Sequence, residues 1–520
     1  MCNSKFTLIA VIVLIHVAAV LAKTKLLTGG TIIAYDEGIQ LPKVIRGGAL
    51  IVKDDRIDQI LDIAPLNGTF PVDTEVIDCT NKIITPGFID THRHGWQTVF
   101  KTMGSNTTLG DYFVRYSASV AQPLFTPEDV YISQKVGIFE ALNAGTTTIL
   151  DHAHHTWTRE HAAAGYNGSI DIISLYKNNY SNGASWMLGK QAILLRSLCH
   201  MTISLQTHTE RIRKTFKQSL RCASDLIGLI SVTEKPISKC LPVTTSLGHG
   251  TVYAQNPHLS TATDVRETVG NAPEDLHNAG ILNTSIAVVL AHGSAISAHS
   301  AALLRATNQH ISITPESEMH YGHLHPTSHL IADQGSLGID THFTFSTDIL
   351  TQARLWLQST RYRMYSNTVD RWQIPNSNPF SVAQAFLLAT RNGGLALGRK
   401  DLGVITKNAK ADLLVWDGTS PSLLGWADPI AAVILHASIG DIDHVLVDGN
   451  FVKRDKKLII KGYDDDVSNF LDAAKRIQQK LRDTPLVPQV GKWLGGFPFG
   501  EQYQIDVQSG NGTGYGPSYI

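Results

Sequence analysis

The chain has 520 residues, with 44 lysines and arginines against 45 aspartates and glutamates, for a formal net charge of −1. Near-neutrality excludes the basic footprint of a nucleic-acid binder, and a hydrophobic fraction of 43% excludes a disordered, highly charged chain. At this length the core needs no disulfide staple, and there is room for an α/β barrel of ~250 residues with further parts around it.

The first element is an address. Lys5 precedes an apolar run from Phe6 to Ala22, broken only by Thr7 and His16, and Val20-Leu21-Ala22 offers small residues for cleavage. The run is short for a bilayer-spanning helix, so residues 1–22 read as a secretory signal peptide in preference to an uncleaved anchor. No second apolar stretch of ~18 residues follows, so no membrane partner is expected after cleavage. Asn-X-Ser/Thr sites at Asn67, Asn106, Asn167, Asn179, Asn283 and Asn511 accord with a secreted, N-glycosylated protein. Without the signal, Cys79, Cys199, Cys222 and Cys240 remain, in no zinc-site spacing. An oxidising compartment permits disulfides, and pairing among the last three stays open.

Beyond the signal, Leu26 to Ile33, Ala49 to Val52 and Ile57 to Ile60 predict short strands, with Lys53-Asp54-Asp55-Arg56 as a polar turn. The amphipathic stretch Pro127 to Asn143 predicts a helix, followed by an apolar strand at Thr146-Thr147-Thr148-Ile149-Leu150-Asp151. Strand-like runs return at Ile286 to Ala291, Ile311 to Pro315 and Ser336 to Asp340. Such βα repetition predicts an α/β fold, as a parallel barrel or an open sheet. Strand texture comes back at Asp412 to Asp417 and, around a Gly turn, from His444 to Val452. Two strand-rich ends around a long middle predict one small β-domain built from both. The resulting partition is 23–86 with 401–462 for that domain, 87–400 for the βα part, and 463–520 for a terminal helix and Gly/Pro-rich tail. The helix is read at Asp466 to Arg482, with Val467, Phe470, Leu471, Ala474, Ile477 and Leu481 on one face.

The chemistry starts at Pro86-Gly87-Phe88-Ile89-Asp90-Thr91-His92-Arg93-His94. Strand side chains alternate between faces, so His92 and His94 point the same way and form a pair of metal ligands. His292 ends a later apolar run and Asp340 another. Strand ends of this kind line the active-site mouth of a (β/α)8 barrel. Imidazoles with one carboxylate suit one divalent ion, zinc first and iron second. Such an ion lowers the pKa of water toward ~7, and an adjacent Asp accepts and relays the proton. Taken singly, His292 reads as a structural histidine and Asp340 as a cap or turn residue. His152, His154 and His155 read as loop histidines or as site residues.

These motifs resemble the amidohydrolase superfamily, and Trp96-Gln97 after the histidine pair is similar to its chlorohydrolase/deaminase-like branch. Ala144 to Thr148, Ala291-His292-Gly293, Thr314-Pro315-Glu316, Leu337 to Asp340, Leu402 to Ile405 with Ala411 to Leu413, and Val445 to Gly449 extend the resemblance over about 25–460. It implies a distorted (β/α)8 TIM-type barrel beside a composite β-sandwich, and hydrolysis of a non-peptide C–N bond, or of another polar leaving group, on a small molecule that in this family is often a ring. By the same resemblance His92, His94 and Asp340 bind the metal, Asp340 also shuttles protons, and His292 ligates or polarises the substrate. Gln97, Glu318 and His323 fall at substrate contacts, and a homo-oligomer is compatible with the pattern.

One expected ligand, a histidine ending the fifth strand, is not in place. Leu241 to Thr245 is that strand, and Ser246 follows it. His249 is taken as the metal ligand there, with His208 and no replacement as the alternatives. From about 185 to 240 the family texture fades, through a basic run at Arg211 to Lys217, as an insertion or a gene-model error would produce. The alternative reading is therefore a weakened or inactive barrel that binds small molecules. A peptide-like amide substrate is a third. Lys177 and Lys190 are available for a metal-bridging carbamate, but nothing singles either out.

Overall fold

The structure is a computed structural model that describes residues 24–65, 73–178, 243–245, 272–278, 282, 288–294, 296–492 and 498–500. The signal segment, Cys199, Cys222, Cys240, His208, Ser246 and His249 lie outside the described residues, as do the sequons at Asn67, Asn179, Asn283 and Asn511. Asn106 and Asn167 are exposed.

In chain order the strands are β1 (Thr24–Asp36), β2 (Leu41–Lys53), β3 (Arg56–Leu61), β4 (Glu75–Asp78), β5 (Ile83–Pro86), β6 (Phe88–Arg93), β7 (Thr146–Asp151), β8 (Val243–Thr245), β9 (Val288–Ala291), β10 (His310–Ile313), β11 (Gly335–Leu337), β12 (Leu413–Trp416), β13 (Ile442–Val447), β14 (Asn450–Arg454) and β15 (Lys457–Leu458).

The two strand-rich ends meet in one sheet. Its order is β15-β14-β13-β12-β5-β1-β2-β3, with β4 parallel to β1. The seam is antiparallel pairing of β12 with β5, from Leu413 opposite Pro86 to Trp416 opposite Ile83. Leu27, Ile32, Leu50, Val52, Ile57, Ile84, Leu413, Val415 and Leu446 form the core of this sheet. The β1–β2 hairpin runs well past the apolar stretches in the sequence, pairing Thr24 with Lys53 through Asp36 with Leu41. Lys43 and Arg46 in its outer half are exposed. Ile32, Ile33, Ala34 and Ile45 in the same half are buried, so that half is held by ladder hydrogen bonds together with apolar burial on one side.

The middle of the chain contributes parallel strands. β6 pairs with β7, and β8, β9, β10 and β11 form a second parallel ladder in that order. The two groups are laced together beyond β11. The N–H groups of Ile339 and Asp340 both donate to the His92 carbonyl, at 2.9 and 2.7 Å, and the His94 N–H donates to the Asp340 carbonyl at 3.2 Å. Thr91 Oγ1 adds bonds to Ser312 Oγ, Ser336 Oγ and the Leu337 carbonyl within 2.9 Å. The lateral order is thus β7, β6, β11, β10, β9, β8, with the last strand of the series beside the first. Gly338 allows the approach, since a Cβ there would sit 2.8 Å from His92 Cβ. Helices follow the strands. The helix Pro127–Asn143 begins with a Thr126/Asp129 capping box and Pro at its start, and it precedes β7.

The terminal helix spans Tyr463–Asp483. It packs Ala473, Ala474, Ile477 and Leu481 into an aromatic cluster with Trp96, Phe100, Tyr112, Tyr116, Phe125 and Phe343. Leu471, expected on that face, is 58% exposed. The contact stripe is narrower than the apolar stripe in the sequence, and the helix is anchored instead by Asp466, which accepts from Lys135 Nζ at 2.9 Å. No described helix is long and apolar enough to cross a membrane.

Candidate active site

His92 lies in β6 and His94 directly follows it, so the alternation of the strand delivers both imidazoles to one place, their ring centroids 4.8 Å apart. Asp340 arrives from beyond β11. The strand expected to reach Asp340 ends at Leu337, and Asp340 adopts a left-handed backbone with φ 67°. His292, after β9, does the same with φ 65°. Non-glycine residues held in this region cost of order 1–3 kcal/mol and concentrate at functional sites. Here the strain turns two side chains inward at the strand ends.

The groups converge on the Asp340 carboxylate. Its Oδ1 lies 2.8 Å from His94 Nε2 and 3.3 Å from His92 Nε2, and its Oδ2 lies 3.9 Å from His292 Nε2. Ser317 Oγ donates to Oδ2. Glu318 is buried in the short helix Pro315–His320 and accepts from the Thr314 N–H at 2.9 Å. Thr314 Oγ1 stands 2.8 Å from His292 Nδ1, with Glu318 Oε1 3.7 Å from the same nitrogen. The His323 ring packs edge-on against His292, centroids 4.9 Å apart, and its Nδ1 is 3.0 Å from Ser294 Oγ. Gln97 is also buried, but its amide turns into the aromatic cluster, donating to the Tyr116 carbonyl at 3.0 Å and toward Tyr112 Oη at 3.3 Å.

The loop after β7 brings histidines that the sequence left between two readings. His152 lies with its ring 5.0 Å from that of His92 and 4.8 Å from that of His94. His154 stacks on His94 at 4.2 Å. His155 is buried, and neither ring nitrogen has a hydrogen-bond partner among the described residues. No local pattern marks His152 as a site residue. Its place comes from a long-range bond, its N–H donating to the Arg93 carbonyl at 2.7 Å. Likewise Thr314 and Ser317 are ordinary hydroxyl residues in the sequence, given their site contacts only by the fold.

Burial dominates the electrostatics. It pushes the His92 imidazole down to about 4. It also holds His152 and His154 well below the ordinary value, helped by neighbouring imidazoles. For His292 burial acts in the same direction, but the Glu318 and Asp340 carboxylates outweigh it and raise the group. Burial would raise Asp340, yet the His92 and His94 contacts keep it well below the usual carboxylate range.

The donor set fits a cation. His94 Nδ1 is 3.0 Å from the His152 carbonyl, which can only accept, so Nδ1 carries the proton. A neutral His94 then turns the Nε2 lone pair toward Asp340 Oδ1 at 2.8 Å. Two lone pairs at that distance repel unless a second proton or a shared metal ion lies between them. Two groups of side chains satisfy metal-ligand proximity around this point, His92–His94–His152 and His92–His292–Asp340, each with ligand atoms within 4.8 Å of one another.

A sequence profile of the Amidohydrolase family matches residues 83–227 and 241–452. Among curated proteins, the chain is 24% identical to a 5-methylthioadenosine/S-adenosylhomocysteine deaminase from Pyrococcus abyssi, over 84% of this chain and 99% of that one. It is 25% identical to a 5'-deoxyadenosine deaminase from Methanosphaera stadtmanae, over 86% and 99%. Among solved structures, it superposes on a zinc-bound adenosine deaminase from Xanthomonas campestris with a TM-score of 0.62 and 15% identity, over 88% of this chain and 99% of that one.

Proposed function

Since the chain belongs to the amidohydrolase family, and with it to the hydrolases of carbon–nitrogen bonds, we propose that it is a metal-dependent deaminase that removes an amino group from a small ring compound such as an aminopurine nucleoside. The carrying observation is the convergence of His92, His94 and His292 on the two oxygens of Asp340. The deaminase relatives and the zinc in the superposed adenosine deaminase support the substrate class and the metal. The neighbouring of β6 and β11, last strand beside first, supports closure into a distorted (β/α)8 barrel flanked by the composite β-sheet. The apolar run from Phe6 to Ala22 supports export.

His92, His94 and Asp340 would hold one divalent ion, zinc before iron, whose chemistry is to make water nucleophilic near neutral pH. Asp340, ionised in its imidazole surroundings, accepts a proton from the attacking water and returns it to the departing nitrogen. His292, raised by Glu318 and backed by Thr314, faces the same space as a proton donor toward a ring nitrogen or oxygen of the substrate. Glu318 and His323 border His292 and are placed to orient that substrate.

The test is ammonia release by the purified mature protein, reconstituted with zinc and separately with iron, from adenosine, 5'-deoxyadenosine and 5-methylthioadenosine. Release that depends on the metal supports the proposal. A reconstituted protein inert toward these and other aminated rings overturns it.

A further inference from the structure

The loop after β7 is tied to the end of β6 by two bonds that both run through one residue. The His152 N–H donates to the Arg93 carbonyl at 2.7 Å, and the His152 carbonyl accepts from His94 Nδ1 at 3.0 Å. The second bond fixes which nitrogen of His94 faces the Asp340 carboxylate, the usual function of a group behind a metal-ligating histidine. The same residue then places its own imidazole against the pair, with the ligand atoms of His92, His94 and His152 within 4.8 Å of one another and all three side chains buried. Nitrogens around a tetrahedral zinc are roughly 3.4 Å apart, so shifts on the order of an ångström suffice.

His154, also beside His94, does not qualify as a ligand. Trp96 Nε1 donates to His154 Nδ1 at 3.0 Å, and an indole can only donate. The neutral ring therefore carries its proton on Nε2, which faces Tyr112 Oη at 3.5 Å. Both nitrogens of His154 are committed, and it has no lone pair to give a metal.

We propose that His152 is a direct ligand of the metal ion in this chain, binding beside His92 and His94. The inference rests on the proposed metal-dependent function and adds to it an imidazole from the end of the second parallel strand. In the sequence, Ser246 follows β8, and His249 and His208, read as the rival imidazoles, lie outside the described residues.

The experiment is metal binding by the purified protein and its variants, stripped with a chelator and reloaded with zinc or cobalt(II), with folding checked by circular dichroism. H152Q should weaken zinc at least 10-fold in chelator competition and change the visible cobalt spectrum. H154Q, which removes only a ring stacked on His94, should weaken zinc far less and leave the ligand set read by cobalt unchanged. H152C supplies a positive readout, a thiolate-to-cobalt charge-transfer band absent from the wild type, and it decides the matter if H152Q fails to fold. An H152C cobalt protein without that band, or an H152Q protein that holds zinc as tightly as wild type, overturns the ligand role and leaves the deaminase proposal standing. A wild-type protein that takes up neither metal overturns both.

Discussion

Asp90 Oδ1 accepts the backbone N–H of Ile339 at 3.2 Å, across 249 residues of chain. It also accepts the His92 N–H at 3.2 Å, while Oδ2 takes Arg93 Nη1 at 3.1 Å. One carboxylate thus joins the strand of the histidine pair to the segment that delivers Asp340. Both partners of the ion pair are buried, and burial lifts Asp90 to about 6 despite Arg93. Breaking such a pair from one side typically costs about 3–5 kcal/mol, because the other charge stays buried. D90A should therefore melt well below wild type and take up less zinc. D90N keeps an acceptor for the two N–H groups and should fall between them. Thermal denaturation of the three proteins checks the order, and a D90A protein as stable as wild type would show that the junction is held by the backbone bonds alone.

Replacing Asp340 by Asn separates chemistry from folding. Asn tolerates the left-handed backbone that Asp340 occupies at φ 67°, so the turn should survive. The variant keeps an oxygen near His92 and His94 but loses the negative charge and the proton-accepting capacity. Ammonia release should drop by about 10²–10⁴-fold, the range typical of a lost general base. The circular dichroism spectrum should not change. Retention of more than a tenth of wild-type activity would remove Asp340 from the proton-transfer role.

How much of this site the sequence carries depends on how local each cause is. The His92/His94 pair is legible because a period of two needs only a strand, and β6 supplies one. His292 and Asp340 are legible as the polar ends of apolar runs, but their left-handed backbone is not, since neither residue type announces it. His152 is the opposite case. Nothing in its neighbours separates a site histidine from a loop histidine, because the bond that places it goes to Arg93 on another strand. The same holds at the chain ends. The apolar segments of β12 and β13 can be read off directly, whereas the outer half of the β1–β2 hairpin mixes buried Ile32 and Ile45 with exposed Lys43 and Arg46, and its register is fixed only by the pairing.

His310, at the start of β10 and away from the candidate site, sets part of the acid limit. Burial pushes its imidazole down to about 4, and its Nδ1 has no hydrogen-bond partner among the described residues. In the unfolded chain the group titrates near 6.5. Between these values the unfolded chain binds more protons, so stability rises with pH in that window. The contribution is complete above about 6.5 and is lost as pH falls toward 4, by up to about 3 kcal/mol. H310Q removes this titration. The gap in denaturation midpoint between wild type and H310Q should be constant above pH 7 and move in favour of the variant toward pH 4.5. Parallel curves across that range would mean that His310 is protonated in the folded protein as readily as in the unfolded one.

The docking of the terminal helix gives a paired prediction about the ground on which the site stands. Ile477 is fully buried against the cluster that holds Trp96 and Phe100, in the turn directly after His94, whereas Leu471 on the same helix is 58% exposed. Truncating a buried isoleucine to alanine removes its transfer free energy and leaves a cavity, together about 2–5 kcal/mol. An exposed leucine stays within about 0.5 kcal/mol. I477A should therefore lower the melting temperature clearly while L471A leaves it in place, although the sequence pattern puts both residues on one apolar face. Because Trp96 also donates to His154, which stacks on His94, loosening the cluster should reach the histidines. I477A should weaken zinc binding as well as stability, read by the same chelator competition. Equal melting of the two variants would place the helix in a different rotational setting from the one described. A stability loss in I477A without any change in zinc affinity would show that the histidine pair is held by β6 and Asp340 independently of the aromatic cluster.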